Sequence, residues 1–201
     1  ANTITFVNVG DLAKEDGLIP AAVVTPEGGR IAVGQAAIQP WSGWWWPSLS
    51  SGSGPHLFDA NGPLDKYDTY VKGVTGKDPQ TQQWELAHFQ LNNPSLDWAG
   101  KCNGWAVAAL TQPEPTQPRT LNGTTFTVAD QKGLLSDYYF AAPATFLVGG
   151  NAGGVTAADF QKAMLDWVGQ QRKGLVINAF DGSQQVASFA VYKYQAVYTP
   201  D

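Results

Sequence analysis

Residues 98–110 read Trp98-Ala99-Gly100-Lys101-Cys102-Asn103-Gly104-Trp105-Ala106-Val107-Ala108-Ala109-Leu110, and this stretch organises the rest of the chain. It contains the single cysteine of the sequence, Cys102, with two glycines and an asparagine close to it. From Trp105 onward the residues form a compact apolar run made mostly of good helix formers. We therefore expect Cys102 to lie where a tight loop turns into a buried helix.

A cysteine in this position has surroundings that favour a nucleophilic thiolate. The positive end of the helix dipole stabilises a thiolate, and Lys101 adds a second positive charge beside it. An activated thiolate of this kind is what covalent acyl transfer requires. The alternative is that Cys102 is simply a small buried hydrophobic residue, as free cysteines often are.

Several motifs, in a fixed order, carry a resemblance to a known family. The residues around Cys102 resemble the active-site segment of the transglutaminase elicitor family, a group of secreted oomycete and bacterial proteins. Four other motifs agree with that family over roughly residues 38–195. They are Pro40-Trp41-Ser42-Gly43-Trp44-Trp45-Trp46-Pro47, Pro63-Leu64-Asp65-Lys66-Tyr67-Asp68, Trp84-Glu85-Leu86-Ala87-His88, and the run Asn122-Gly123, Phe126, Asp130, Lys132, Leu134-Leu135.

The resemblance implies a cysteine-protease-like (papain-like) fold with a Cys-His-Asp site. In such a site the thiolate attacks a glutamine carboxamide of a protein or peptide, and an amine or water resolves the thioester. The family's histidine lies in an F-H-x-A-L segment, which here resembles Phe160-Gln161-Lys162-Ala163-Met164. Its aspartate lies on the next apolar strand, here Leu175-Val176-Ile177-Asn178-Ala179. By this resemblance Gln161 stands at the histidine position and Asn178 at the aspartate position.

These replacements lead to two hypotheses. A glutamine amide cannot take a proton near neutral pH, so the chain is predicted to be a degenerate transglutaminase-like protein that acts as a binding or structural module. Binding would then use the tryptophan-rich surface of Trp44, Trp45, Trp46 and Trp105, although a packed wall is the expected structural role of residues 41–46. The alternative is an active cysteine-dependent acyltransferase or amidase in which a histidine that precedes Cys102, His88 or His56, supplies the base. His88 shares a helix face with Trp84 and Leu91, which favours a structural role for it.

Composition excludes other classes of function. The chain has 201 residues and a net charge of −5, and it has no basic stripe for nucleic acid. It has no apolar run long enough for membrane insertion. Cys102, His56 and His88 supply too few ligands for a metal, and no cofactor motif is found.

Only 14% of residues are charged, and a chain beginning at Ala1 is consistent with a processed form, so we expect secretion. The sequence does not indicate an oligomeric state.

The pattern of elements predicts a single α+β domain over residues 1–201, with a β-rich N-terminal arm at 1–37 and the family-like region at 38–195. The central helix headed by Cys102 is expected to pack on an antiparallel sheet. Asp78 and Pro79 are the predicted start of a helix over 77–90, and Asp130 of a helix to Tyr139. The other predicted elements are strands at 4–9, 19–24, 30–33, 146–148 and 175–179, helices at 64–71 and 156–171, a hairpin around Asn122-Gly123, and a strand or strand pair at 185–198.

Overall fold

The computed structural model of the chain describes residues 4–6, 23–24, 30–89, 96–143, 145, 147–148, 154–180 and 185–198. The chain forms two compact units. The sheet unit comprises Ala1–Pro40, Pro143–Leu175 and Ala190–Asp201, and the helical unit comprises Trp41–Ala142 and Val176–Phe189. The architecture is therefore mixed α and β, as expected, while a single domain over 1–201 stays a prediction.

The sheet unit is built on a four-stranded antiparallel sheet in the order β1-β8-β3-β2. Its strands are β1 (Ile4–Phe6), β2 (Val23–Val24), β3 (Arg30–Gln35) and β8 (Lys193–Tyr198). Strand β8 lies between β1 and β3, so the last described strand of the chain joins the first and third. The predicted N-terminal strands are confirmed over these ranges, while 7–9 and 19–22 lie outside the described residues.

A long helical segment covers this sheet. Helix α5 (Ala157–Ala163) begins after Thr156, where the sequence predicted a helix to start, and the Thr156 side chain accepts the Asp159 backbone N–H. The helix continues as a π-helix over Met164–Gln170, and its buried residues pack against β8. A side chain on Gly34 of β3 would overlap the ring of Tyr194, so that position requires glycine. The core of the unit consists of Met164, Val168, Tyr194 and Ala196.

The helical unit contains four α-helices, one strand pair and most of a second among its described residues. The helices are α1 (Pro63–Thr75), α2 (Thr81–Phe89), α3 (Cys102–Thr111) and α4 (Val128–Phe140). The complete pair is β4 (Arg119–Leu121) with β5 (Thr124–Phe126), and the second is β6 (Leu175–Phe180) with β7 (Val186–Val191), of which residues 176–180 and 186–189 belong to this unit. None of the described helices has the length and apolar character needed to cross a bilayer.

Local sequence signals explain the hairpin and the start of α4. Strands β4 and β5 pair antiparallel around Asn122 and Gly123, whose φ angles of 45° and 78° are those that a tight hairpin turn needs. Helix α4 begins one turn earlier than predicted, because Thr127 is its N-cap and Asp130 is the third helical residue. The two form a capping box, with each side chain accepting the other's backbone N–H. The predicted strand at 146–148 is wrong at 147–148, which form a bend, and residue 146 lies outside the described residues.

Helix α3 packs against α4. Gly104 faces α4 so closely that an added Cβ would overlap the carbonyl oxygen of Ser136 and lie 2.6 Å from the backbone nitrogen of Phe140. On another side, Ala108 and Ala109 form a core cluster with Trp41. The prediction placed an antiparallel sheet against the Cys102 helix, whereas the structure places α4 there, because the small residues of α3 allow a close helix–helix approach.

The N-terminus of helix α2 is capped by a side chain from another helix. Its first two residues, Thr81 and Gln82, each donate a backbone N–H to the carboxylate of Asp68 on α1 at 3.0 Å, and the Thr81 hydroxyl donates to it at 2.5 Å. The predicted start at Asp78 and Pro79 is therefore wrong. Asp78 instead accepts the Gln80 N–H ahead of the helix. The family-like Asp68 thus has a structural role, since it joins α1 to α2.

The different contacts of Asp68 and Asp78 lead to a testable prediction. Asp68→Ala should lower the free energy of unfolding by about 2 kcal/mol, the upper part of the range for losing an N-cap, because it removes acceptors for two backbone N–H groups at once. Asp78→Ala is the matched control and should cost about 0.5 kcal/mol or less, since its carboxylate is 41% exposed. Urea unfolding of both variants measures the difference. Equal losses would contradict this assignment of the cap.

Candidate active site around Cys102

Cys102 is the first residue of α3, as predicted, and its thiol is free and half-buried. The residue before it, Lys101, is the N-cap position but provides no side-chain cap. Its carbonyl accepts the Trp105 backbone N–H at 2.9 Å, which closes the first turn of α3. The arrangement places a thiol at the end of the helix where unpaired backbone N–H groups point outward.

The loop before Cys102 is held by the tryptophan-rich segment. Lys101 donates its backbone N–H to the Trp45 carbonyl at 2.7 Å, and Ser48 donates to the Ala99 carbonyl at 2.9 Å. Between them, Pro47 and Gly100 form an antiparallel bridge. A Cβ on Gly100 would lie 2.6 Å from the Trp45 ring and 2.7 Å from its carbonyl oxygen. Glycine at this position therefore lets two distant motifs of the sequence pair and fix the cysteine loop.

Lys101 has a different role from the predicted one. Its side chain is 1% exposed, and its ammonium group lies 2.9 Å from Glu85 Oε1 and 3.0 Å from Asp137 Oδ1. It also lies 4.1 Å from the centre of the Phe140 ring. The expectation that Lys101 adds a second positive charge beside the thiol is wrong, because two carboxylates neutralise that charge. Lys101 instead joins α2, α3 and α4.

Glu85 is the most deeply buried acid of this cluster, with a side chain only 3% exposed. Burial raises the pKa of Glu85 above its ordinary value, although the salt bridge to Lys101 acts in the opposite direction. Sequence reasoning did not select Glu85 or Asp137. Glu85 stands inside a quoted motif, which is a usable signal, but the pairing of Asp137 with Lys101 depends on how α3 and α4 pack.

The two histidines differ in their surroundings. His56 is buried, with Nε2 2.9 Å from the Leu49 carbonyl oxygen and Nδ1 3.4 Å from Asp59 Oδ1. His88 is exposed on α2, stacked on Trp84 with ring centres 4.3 Å apart. Its Nδ1 lies 2.8 Å from the Trp84 carbonyl oxygen. Since a carbonyl only accepts, this contact assigns the proton to Nδ1 and leaves the lone pair of the neutral ring on Nε2.

The two amide residues at the expected partner positions are hydrogen-bonded to hydroxyl groups. In the sheet unit, Gln161 of α5 donates from Nε2 to the Tyr198 hydroxyl at 2.5 Å. In the helical unit, Asn178 of β6 is exposed, and its Oδ1 accepts from the Ser188 hydroxyl at 2.7 Å. The catalytic or vestigial role assigned to Gln161 and Asn178 from the sequence stays a prediction.

Residues 94–175 match the transglutaminase elicitor family. The matched stretch contains Cys102 and Gln161 and ends before Asn178. The resemblance seen in the sequence is therefore confirmed over this stretch.

The fold agrees with a solved structure of such a protein. The chain is similar to the crystal structure of the GP42 transglutaminase from Phytophthora sojae, with a TM-score of 0.62 and 21% sequence identity. The match covers 80% of this chain and 54% of that one, so the chain spans about half the length of its structural relative. No curated protein matches the sequence. At this identity the likeness concerns the fold.

Two of the four tryptophans of the family-like entry motif belong to the core. Trp41 and Trp46 are buried, which confirms the packing prediction for these two rings, whereas Trp44 and Trp45 are half-buried. Trp46 has a positive φ of 50°, and among the described residues its buried indole N–H has no hydrogen-bond partner. Trp105, also half-buried, donates from Nε1 to the Trp41 carbonyl at 3.3 Å. A binding role for Trp44, Trp45, Trp46 or Trp105 stays a prediction.

Other motif residues of the family resemblance form a second buried ion pair. Lys66 of α1 lies 2.6 Å from Asp130 of α4, and the two side chains are 14% and 8% exposed. The same carboxylate accepts from the Thr127 backbone N–H and hydroxyl, each at 2.7 Å. In the part of the chain that the structure describes, no three acids, histidines or cysteines are grouped to hold a metal. The quoted charged residues of α1, α2 and α4 therefore hold the helices around the cysteine together.

Proposed function

We propose that this chain is an extracellular, papain-like relative of the transglutaminase elicitors that keeps the thiol of Cys102 but has lost acyl transfer. It acts as a binding or structural module. The extracellular location is inferred from the family match and from the low proportion of charged residues, 14% of the chain. The half-buried Trp44 and Trp45 are the residues of the entry motif best suited to contact a partner, because Trp46 is buried.

The observation that carries this proposal is the hydrogen bond from Gln161 to Tyr198. If Gln161 occupies the family's histidine position, the group there is a carboxamide, which has no lone pair basic enough to take the thiol proton. The carboxamide also donates to a tyrosine hydroxyl, so its polar end already has a partner. The neutralised Lys101 supports the same conclusion, since its charge is balanced by Glu85 and Asp137. Of the two positive charges expected beside the thiol, the helix N-terminus remains.

We expect labelling without turnover. Iodoacetamide should alkylate Cys102 in the native protein, because the thiol is half-buried and lies at a helix N-terminus. Ammonia release from a glutamine peptide, with or without a primary amine, should stay at the level of Cys102→Ser. Since Cys102 is the single cysteine, intact mass spectrometry reports its labelling directly. Turnover by the wild-type chain that is lost in Cys102→Ser would refute the proposal.

Restoring the two partners provides the positive control. Gln161→His together with Asn178→Asp should raise ammonia release by about a hundredfold or more, because a positioned general base is typically worth 10²–10⁴-fold. Asn178→Asp alone should stay at the wild-type level, since it supplies no base. If the double variant folds but remains inactive, the assignment of Gln161 to the histidine position is wrong.

One observation favours a second candidate, an active acyltransferase that uses His88. The contact with the Trp84 carbonyl fixes the proton on Nδ1, and a neutral ring so oriented carries a basic Nε2. His56 is less suited, since both of its ring nitrogens already face oxygen atoms. If this candidate is correct, wild-type turnover will be lost in His88→Gln and retained in His56→Gln. Equal loss in both would indicate a stability effect instead.

A further inference from the structure

The tip of the β4–β5 hairpin carries a sequence pattern that the proposed function does not use. Asn122-Gly123-Thr124 has the form Asn-x-Thr, the acceptor signal for N-linked glycosylation. Across the whole sequence, the only other asparagine followed two residues later by Ser or Thr is Asn93, and Pro94 after it breaks the signal. The pattern therefore singles out one asparagine.

The structure presents this asparagine at a surface turn. Asn122 and Gly123 are exposed and occupy the two central positions of the hairpin turn, each with positive φ. All three residues of β4 are exposed, and Thr124 begins β5 opposite Leu121. A signal of this kind is used where the chain forms a surface loop, and a hairpin tip meets that condition.

We propose that Asn122 carries an N-linked oligosaccharide. In the transfer step, Nδ2 of Asn122 forms a bond to the anomeric carbon of the sugar, and the bond from that carbon to the pyrophosphate of a lipid-linked donor breaks. The lipid pyrophosphate leaves, and the amide proton passes to a base of the transferring enzyme. The inference rests on the extracellular location proposed above, and it is independent of whether Cys102 turns over a substrate.

The exposed Asn122 side chain lies beside α1, with Nδ2 2.6 Å from the position that a Cβ on Gly73 would take. The absence of a side chain at Gly73 accommodates the carboxamide, and Nδ2 has to turn away from α1 to receive a sugar. Two exposed apolar residues adjoin Gly73 and Asn122 in the sequence, namely Val74 on α1 and Leu121 on β4, and their side chains are 59% and 46% exposed.

The test uses the full chain, secreted from yeast behind a cleavable leader. Intact mass spectrometry before and after peptide N-glycosidase should show the loss of a single oligosaccharide. Because that enzyme converts the modified asparagine to aspartate, digestion in heavy-oxygen water should mark position 122. Thr124→Ser should keep the modification, whereas Thr124→Val, which preserves the β-branched shape, should lose it completely.

Two controls make the result decisive. Asn122→Asp should be secreted unmodified and folded, since aspartate also suits this turn. Asn61-Gly62 is a second exposed Asn-Gly with a positive φ of 58° at Asn61, but Pro63 stands where a hydroxyl is required, so Asn61 should remain unmodified. A secreted, folded wild-type chain without sugar would overturn the proposal, as would a sugar that persists in Thr124→Val. Neither outcome bears on the thiol-labelling and turnover experiments.

Discussion

Lys101→Met should lower the free energy of unfolding by about 3–5 kcal/mol, the typical cost of removing one partner from a buried ion pair. The substitution keeps the length of the side chain and removes its charge. Glu85, whose side chain is 3% exposed, would then be a buried carboxylate without its cation. Asp137 is 32% exposed and can turn to water, so the cost falls mainly on Glu85. Urea denaturation followed by tryptophan fluorescence measures the loss.

A matched variant distinguishes the loss of a lysine charge from a buried ion pair from the loss of a lysine charge at the surface. Lys72 pairs with Asp78 at 3.5 Å, but the two side chains are 63% and 41% exposed. Lys72→Met should therefore change stability by less than about 1 kcal/mol. Adding Glu85→Gln to Lys101→Met should recover part of the loss, because it removes the uncompensated carboxylate. Stability equal to wild type in Lys101→Met would show that the cluster does not hold the three helices together.

Gly104→Ala should destabilise the protein by about 3 kcal/mol, the upper part of the usual range for overpacking. Alanine would favour the helix by about 1 kcal/mol relative to glycine, so two effects compete. The added Cβ would meet backbone atoms of α4, the Ser136 carbonyl oxygen and the Phe140 nitrogen, which cannot rotate away. The clash therefore outweighs the propensity, and α3 has to move away from α4. Urea unfolding gives the sign and size of the change.

Gly73→Ala provides a control of opposite sign. Gly73 is also helical, but a Cβ there would meet only the end of the Asn122 side chain, at 2.6 Å. That flexible amide can shift, so the gain in helix propensity should remain, and the variant should be as stable as wild type or up to about 1 kcal/mol more stable. If both glycine variants lose stability equally, the close approach of α3 and α4 is not the cause.

Elements that depend on neighbouring residues could be predicted from the sequence. The Asn122-Gly123 turn, the helix that starts at Cys102 and the helix that starts at Thr156 each depend on residues that are close together in the sequence. The sequence does not reveal partners that tertiary packing brings together. Asp68 caps a helix that starts 13 residues later, and Lys101 meets Glu85 and Asp137 from two other helices.

The same distinction between neighbouring residues and tertiary packing applies to the site around Cys102. The position of Cys102 at a helix start was predictable, because loop residues and an apolar run stand side by side in the sequence. The electrostatic surroundings of the thiol were not, since the charge of Lys101 is cancelled by residues 16 positions earlier and far later in the chain. Likewise, nothing near Gln161 in the sequence indicates that Tyr198, 37 residues away, would be its hydrogen-bond partner.

The place of β8 in the sheet determines the order in which the chain can assemble on the ribosome. Helices α1 to α4 and their hairpin all lie within Trp41–Ala142, so the members of this core have all been synthesised before any residue that follows Ala142. Strands β1 and β3 are synthesised before these helices but flank β8, which is synthesised after them. Vectorial synthesis therefore supplies the cysteine-bearing core before β8, and β1 and β3 gain the strand between them only once β8 has been made.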